Sequence, residues 1–411
     1  MEVWYIRDLE PLATDPGDQR LLRASLVTAH LAKRGHNVTW FTSTFNHYTK
    51  SHRTPGVLEM GPNLKVRILP SLGYRCHIGL RRFTHNIGFA RRLSKAMTKA
   101  AHKPEVILAD LPTPEAAASA VRFATEHNIP SIVSIRDLWP DFFSSSLGPA
   151  TRTLAKLGIY YIDNQVRYSC RHATHLIGIS DHYLRWGQQK GQRCTSAADK
   201  VFPLGYPKPS LPSPRQSECI LRSMGINPEK KLISFSGSWG TTYDIRLLFD
   251  TARLLSHRKD IEFAIAGNTD PSSALAQAFN QLDNVKLLGW ITNRQLTALL
   301  SNTDIGLLPY SRNAPQGLPN KAFEYLAFGA YQIATLSGEI QKFYSNKLIG
   351  CTVACSNPKA LAQQIEAVSF SSEFRNAKRA RQQIFLDRYE ATVIYDRMTD
   401  FIENIVKERN T

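Results

Sequence analysis

The chain has 411 residues, room for two or three domains at roughly 150 residues each. Its 43% apolar and 21% charged residues fit a folded protein and exclude wholesale disorder. Lys and Arg number 51 against 34 Asp and Glu, so the formal charge is +17 and an anionic partner is expected: nucleic acid, a membrane surface or a phosphorylated substrate. Six Cys lie far apart with no C-x-x-C spacing, which excludes a zinc or disulfide framework. The nearest pair, Cys351 and Cys355, reads as a chance neighbourhood. MEVWYIRDLEPL carries acids and lacks the apolar run of a signal peptide, and no run of 18 apolar residues exists. A reducing, cytoplasmic compartment is expected.

Strands are predicted at Val3–Ile6, Asn37–Thr42, Val66–Leu69, Val106–Ala109, Ser131–Ile135, Leu176–Ile179 and Val201–Phe202. Helices are predicted over Leu21–Lys33, with apolar residues at 22, 26, 29 and 31, and over Pro114–His127. The Pro- and Ser-rich segment Leu204–Glu218 reads as a linker. The alternation then restarts. Strands are predicted at Leu232–Phe235, Glu262–Ile265, Val285–Leu288, Ile305–Leu308 and Tyr331–Thr335. Helices are predicted at Asp244–Ser256, Ser272–Gln281, Asn293–Leu300, Asn320–Phe328, Pro358–Ser369, Glu373–Leu386 and Ala391–Val406. Such alternation predicts α/β architecture: two doubly wound domains in tandem, with ligands at the carboxyl ends of strands and a cleft between facing sheets. The expected boundaries are 1–205, 206–388 and a C-terminal helix, 389–411, crossing back to the first domain.

The most informative stretch is Asp304–Thr335, DIGLLPYSRNAPQGLPNKAFEYLAFGAYQIAT. A buried strand leads through a polar loop to a helix whose N-cap is predicted at Asn320. Lys321 and Glu324, three residues apart, share a helix face. A cation at a helix start opposes the helix dipole, which makes sense where an anion docks there; Glu324, one turn deeper, suits a diol such as a ribose. An ordinary solvated Lys–Glu pair is the other reading.

This stretch resembles the donor-binding motif of the family 4 retaining glycosyltransferases. That resemblance implies the GT-B fold, two Rossmann-like domains facing a central cleft. The family motif has two Glu separated by seven residues. Glu324 stands at the second, which holds the nucleotide ribose, and Gln316 at the first, which contacts the donor sugar. Gln retains hydrogen bonding but supplies no carboxylate. Leu318 and Pro319 match the segment that meets the diphosphate, and Gly329 the turn after the helix.

Phe235-Ser236-Gly237-Ser238-Trp239-Gly240 resembles the turn that approaches the donor phosphates, with Gly237 and Ser238 as contacts. The Arg and Lys that often follow are replaced by Thr241-Thr242-Tyr243-Asp244, so Lys321 becomes the chief expected phosphate cation. Asn268 and Trp290 occupy turns that surround the base in this fold; Trp290 either contacts a uracil or fills the core. Gly17 lies in a loop resembling the family's N-terminal glycine loop. Arg136-Asp137-Leu138-Trp139-Pro140 resembles a segment of a bacterial subgroup that assembles surface polysaccharides. Asp137 stands where relatives place a group that orients or deprotonates the acceptor hydroxyl; a helix-capping Asp is the alternative.

Residues 60–104 hold ten Lys or Arg and no Asp or Glu. Leu80–Lys103 reads either as a basic amphipathic helix lying on an anionic bilayer or as a surface helix packed on the sheet. The expected assignment is therefore a cytoplasmic glycosyltransferase, peripheral on the inner face of the membrane. Its expected catalytic residues are Asp137, Gln316 and Lys321. Its expected donor is a UDP-sugar, and its acceptor a glycan or polyprenyl-diphosphate-linked saccharide in surface polysaccharide or lipopolysaccharide synthesis. No cofactor and no metal are expected, since no Asp-x-Asp triplet is present. No motif for nucleic acid appears. A nucleotide-sugar 2-epimerase and a degenerate, non-catalytic nucleotide-sugar binder are the alternatives.

Overall fold

A computed structural model describes all residues except 17–20, 77–78, 142–148, 195, 197, 238, 241, 269, 313, 315–316, 369–371 and 411. Gly17, Ser238 and Gln316 thus lie outside the described residues. The chain forms two compact units, Met1–Leu204 with Ile394–Thr411, and Gly205–Val393.

The first unit holds β1 (Glu2–Ile6), β2 (Asn37–Ser43), β3 (Gly56–Gly61), β4 (Leu64–Leu69), β5 (Val106–Leu111), β6 (Ser131–Ile135), β7 (His175–Gly178) and β8 (Lys200–Val201). They form one sheet in the order β3-β4-β2-β1-β5-β6-β7-β8. Only the β3–β4 pairing is antiparallel. Strands β5 and β6 are buried along their whole length, as continuous apolar runs in a covered parallel sheet should be. The strand order reverses between β1 and β5, so the crevice beyond their carboxyl ends is the topological switch point of this sheet.

The second unit holds β9 (Lys231–Ser236), β10 (Ile261–Ala266), β11 (Val285–Gly289), β12 (Thr303–Leu308), β13 (Tyr331–Ala334) and β14 (Gly350–Thr352). They form a wholly parallel sheet in the order β11-β10-β9-β12-β13-β14. Ile233 and Phe235, Phe263 and Ile265, and Ile305 and Leu307 line its core. Its switch point lies between β9 and β12.

Several elements depart from the sequence expectation, among them the helices Asp181–Gly191 and Glu339–Phe343 and strand β14, which were not expected. The first helix spans Arg23–Lys33, and its buried face is Arg23, Ala24, Val27, Thr28 and Leu31, which shares only Leu31 with the expected apolar set at 22, 26, 29 and 31. Polar residues are accommodated there by local bonds. The Arg23 guanidinium donates to the Phe202 and Pro203 carbonyls at 3.0 and 3.2 Å, and the Thr28 hydroxyl to the Ala24 carbonyl at 2.8 Å. The expected linker contains the start of a helix, Pro214–Ser223. Ser213 and Gln216 close a capping box, and Pro214 sits at the first helical position, where it favours the helix instead of breaking it. The helix Pro149–His172 lies where no element was expected; exposed Leu157 and Tyr160 interrupt the spacing of buried Ile162, Val166 and Cys170. Strand β3 is an edge strand with little buried side-chain area, so it carries no apolar alternation.

The basic segment forms the helix Leu80–Thr98. Phe89, Leu93, Ala96 and Met97 are packed into the first unit's core, so the apolar stripe is already covered. This is the packed reading, not the bilayer-inserted one. Arg91, Lys95 and Lys99 remain exposed on its outer side. Among the described residues, no helix is long and apolar enough to cross a membrane.

Candidate functional site

In the second unit, the helix Asn320–Ala327 follows β12 at the switch point. It is fastened to the sheet from beneath. The Tyr325 hydroxyl donates to the Ser234 carbonyl of β9 at 3.1 Å, and the Gln332 amide of β13 to the Ala322 carbonyl at 2.9 Å. Gly306 leaves room for the Tyr325 ring, which a Cβ there would meet at 2.5 Å. At the far end Gly329, with φ +74°, turns the chain back; a Cβ would meet the Lys378 carbonyl at 2.6 Å.

The cap is Pro319, not Asn320, and it offers no side-chain hydrogen bond. Proline fixes the extended backbone needed at that position, and Asn320 becomes the first helical residue, with an exposed side chain. Pro319 therefore leaves the first-turn amides without a cap bond from its own side chain.

Lys321 lies in that first turn. Its ammonium donates to the Ser236 hydroxyl at 2.9 Å and lies 3.4 Å from Oε2 of Glu324. Ser236 is the last residue of β9, so the helix start and the neighbouring strand end are tied by one cation. Glu324 is buried, and its Oε1 accepts a 3.1 Å hydrogen bond from the Tyr206 hydroxyl. A buried carboxylate beside an ammonium and a phenol is not the solvated surface pair of the bland reading.

Around them, the strand-end turns close tightly. The Gly237 amide donates to the Ala266 carbonyl at 2.9 Å, and that of Gly267 to the Gly289 carbonyl at 2.8 Å. Gly267 has φ +150°, and a Cβ on it would stand 1.8 Å from the Gly237 carbonyl oxygen, so only glycine fits this approach. The Asn268 carbonyl accepts from the Trp239 amide at 3.3 Å, and its side chain is exposed. Trp290 is 81% exposed, which removes the core-filling reading. Leu318 is half-buried, just before the capping proline.

In the first unit, the switch point between β1 and β5 carries a dense charge network. Arg136 donates to Asp110 at 2.6 Å and to Glu10 at 2.5 Å. Arg7 donates to Glu10 at 3.0 Å, and the Tyr5 hydroxyl to Asp110 at 2.9 Å. Burial opposes ionisation of Glu10, yet Arg136 and Arg7 hold its carboxyl below the usual range. Beside this network, buried His85 accepts from the Gly73 amide through Nδ1 at 3.1 Å and points Nε2 at Asp8, 3.2 Å away. Arg82 lies over the Trp139 ring, 4.0 Å from its centroid.

Asp137 stands at the end of β6 beside these groups. Its Oδ1 accepts from the adjacent Leu138 amide at 2.9 Å. Burial pushes its carboxyl above the usual range, against the Leu138 amide and the charges of Arg7, Arg82 and Arg136. A carboxyl raised in this way is a better proton acceptor once ionised.

Sequence reasoning did not select Ser236 or Tyr206. Ser236 is discoverable as the last strand residue before the glycine turn. Tyr206 carries no such signal, since it lies in a Pro-rich stretch far from Glu324 along the chain. Among the described residues, no cluster of His, Cys, Asp or Glu is arranged to hold a metal ion.

Residues 23–203 match the model of the glycosyl transferase 4-like domain, and residues 230–369 that of glycosyl transferases group 1. An uncharacterized glycosyltransferase of Methanocaldococcus jannaschii is 26% identical over 157 residues, 38% of this chain and 40% of that relative. The chain thus aligns with well under half of the length of that curated relative. A sucrose-phosphate synthase of Thermosynechococcus elongatus is similar in structure, with a TM-score of 0.72 at 14% identity over 99% of this chain and 100% of that one. So is Anabaena HepE in complex with UDP, with a TM-score of 0.67 at 15% identity over 98% and 100%. WaaG, a glycosyltransferase involved in lipopolysaccharide biosynthesis, gives 0.65 at 14% identity over 98% and 99%. The two parallel sheets, their switch-point sites and the two domain matches together place this chain among the GT-B glycosyltransferases, with a 4-like domain followed by a group 1 domain.

Proposed function

We propose that the protein is a retaining glycosyltransferase that moves a sugar from a UDP-sugar to a glycan or lipid-linked acceptor in surface polysaccharide or lipopolysaccharide synthesis. The observation that carries this reading is the Lys321–Ser236–Glu324 cluster at the start of a helix whose cap, Pro319, makes no side-chain hydrogen bond. Glu324 accepts hydrogen bonds from the ribose hydroxyls. Lys321 and the first-turn amides receive the diphosphate, and the negative charge that develops on the leaving UDP is stabilised by them rather than by a metal ion. Trp290 stacks on the base, with Asn268, Gly237 and Ser238 in the surrounding turns. Gln316, Leu318 and Asn320 meet the donor sugar and diphosphate. In the first domain, Asp137 orients the acceptor hydroxyl and takes its proton.

HepE structures bearing UDP and UDP-glucose support a uridine nucleotide, and WaaG supports the pathway. The exposed basic face of Arg91, Lys95 and Lys99 supports peripheral binding to an anionic inner-membrane surface, by charge and without insertion of the helix. The test is UDP release from radiolabelled UDP-sugars supplied with membrane lipid extracts, with and without chelator. Acceptor-dependent UDP release with retained anomeric configuration is expected. Epimerised donor in the absence of acceptor would instead identify a 2-epimerase. Tight UDP binding without turnover would identify a non-catalytic binder.

A further inference from the structure

Tyr206 lies one residue past the point where the chain enters the second unit, and the chain leaves that unit after Val393. The two points are stitched together through this residue. The Tyr206 amide donates to the Tyr389 carbonyl at 3.3 Å, and the Ala391 amide to the Tyr206 carbonyl at 2.9 Å. Its ring meets Phe385 edge-on at 6.3 Å, while Tyr389 packs against Phe323, the residue next to Glu324. From this position its hydroxyl donates to Oε1 of Glu324.

We propose that Tyr206 is a positioning residue for the nucleotide site: it fixes the orientation of the Glu324 carboxylate and links nucleotide binding to both chain crossings. The proposal rests on the reading of Glu324 as the ribose-binding group. A carboxylate has about four lone-pair directions. With Lys321 facing Oε2 and Tyr206 holding Oε1, the carboxylate plane is set, and with it the orientation in which Glu324 meets a diol. Linkage then requires reciprocity: a ligand that tightens Glu324 also tightens the segments that carry Tyr206 and Tyr389–Ala391.

Tyr206→Phe removes one hydroxyl and keeps the ring. UDP is titrated calorimetrically into the full-length wild type, Tyr206→Phe, Glu324→Ala and the double variant, and backbone hydrogen exchange is followed over residues 203–208 and 387–393. The expected result is UDP binding about tenfold or more weaker in Tyr206→Phe, the size of a hydrogen bond to a charged group. The double variant should bind no worse than Glu324→Ala alone, because the tyrosine acts through that carboxylate. UDP should slow exchange in both segments of the wild type and in neither segment of Tyr206→Phe. A merely structural role gives additive losses and unchanged exchange coupling, and either result overturns the proposal. Wild-type affinity in Tyr206→Phe also overturns it. Failure of the wild type to bind UDP overturns the functional reading and this proposal with it, whereas wild-type binding with an inert Tyr206 overturns the proposal alone.

Discussion

The ammonium of Lys321 donates to the hydroxyl of Ser236 across 2.9 Å, joining the start of one helix to the end of a strand 85 residues earlier. A lysine at a helix start works against the helix dipole, and here the Glu324 carboxylate 3.4 Å away offsets its charge only in part. The arrangement becomes favourable once a diphosphate docks. Replacing Lys321 with Ala should therefore weaken UDP binding by about 10–100-fold, the range for a charge-assisted contact, and uridine binding by clearly less. Comparing the two ligands by calorimetry isolates the phosphate contribution. An equal loss for both would point to a disturbed fold instead.

Trp290 offers a cleaner separation of folding from binding. Its ring is 81% exposed, so Trp290→Ala should move the melting temperature very little. If the ring stacks on the base, UDP affinity should fall by a factor corresponding to about 1–3 kcal/mol. A thermal scan and a UDP titration on the same sample check both halves.

Much of this site was legible in the sequence, because Lys321 and Glu324 stand at helical spacing after a buried strand and before a glycine turn. Most strands of both sheets were equally legible, since fully covered parallel strands are continuous apolar runs; the edge strands β3 and β14 were not. What escaped notice was non-local or polar. Tyr206 reaches Glu324 from a segment read as a linker. Arg23 is buried through carbonyl bonds to Phe202 and Pro203, which no periodicity announces. Asn320 was misassigned as the cap because its side chain suits that role, whereas Pro319 already has the extended backbone required.

Glu115 should give the fold a specific pH dependence. It lies in the first turn of the helix Pro114–Glu126, and burial pushes its carboxyl up to about 7, against its own backbone amide, Asn86 and Arg82. The folded state therefore holds this proton more tightly than the unfolded chain does, whose carboxyl titrates near 4.5. The stability contributed by the protonated form is complete below about 4.5 and is lost as pH rises through about 7. Glu115→Gln should flatten that fall and raise the melting temperature at pH 8 relative to wild type. Unaltered pH dependence in the variant would remove Glu115 from the account.

The outward basic face of the helix Leu80–Thr98 and Lys99 beside it predict salt-sensitive membrane binding. Arg91→Glu, Lys95→Glu and Lys99→Glu together should reduce sedimentation with anionic vesicles by a factor on the order of 100, at about 1 kcal/mol for each cation lost. Neutral vesicles should bind neither protein. Because the apolar stripe is already packed in the core, the loss should be matched by raising salt on the wild type. Salt-resistant binding would mean that apolar insertion, not charge, holds the protein to lipid.

The central claim is that the second domain binds a uridine nucleotide through Glu324. Calorimetric titration of UDP into wild type and Glu324→Ala, with circular dichroism to confirm the fold of each, tests it most directly. One UDP per chain should bind the wild type, and the variant should lose at least about tenfold in affinity while keeping its fold, as expected for a lost hydrogen bond to a charged group. Equal UDP affinity in the two proteins, or no binding by the wild type, would contradict the account.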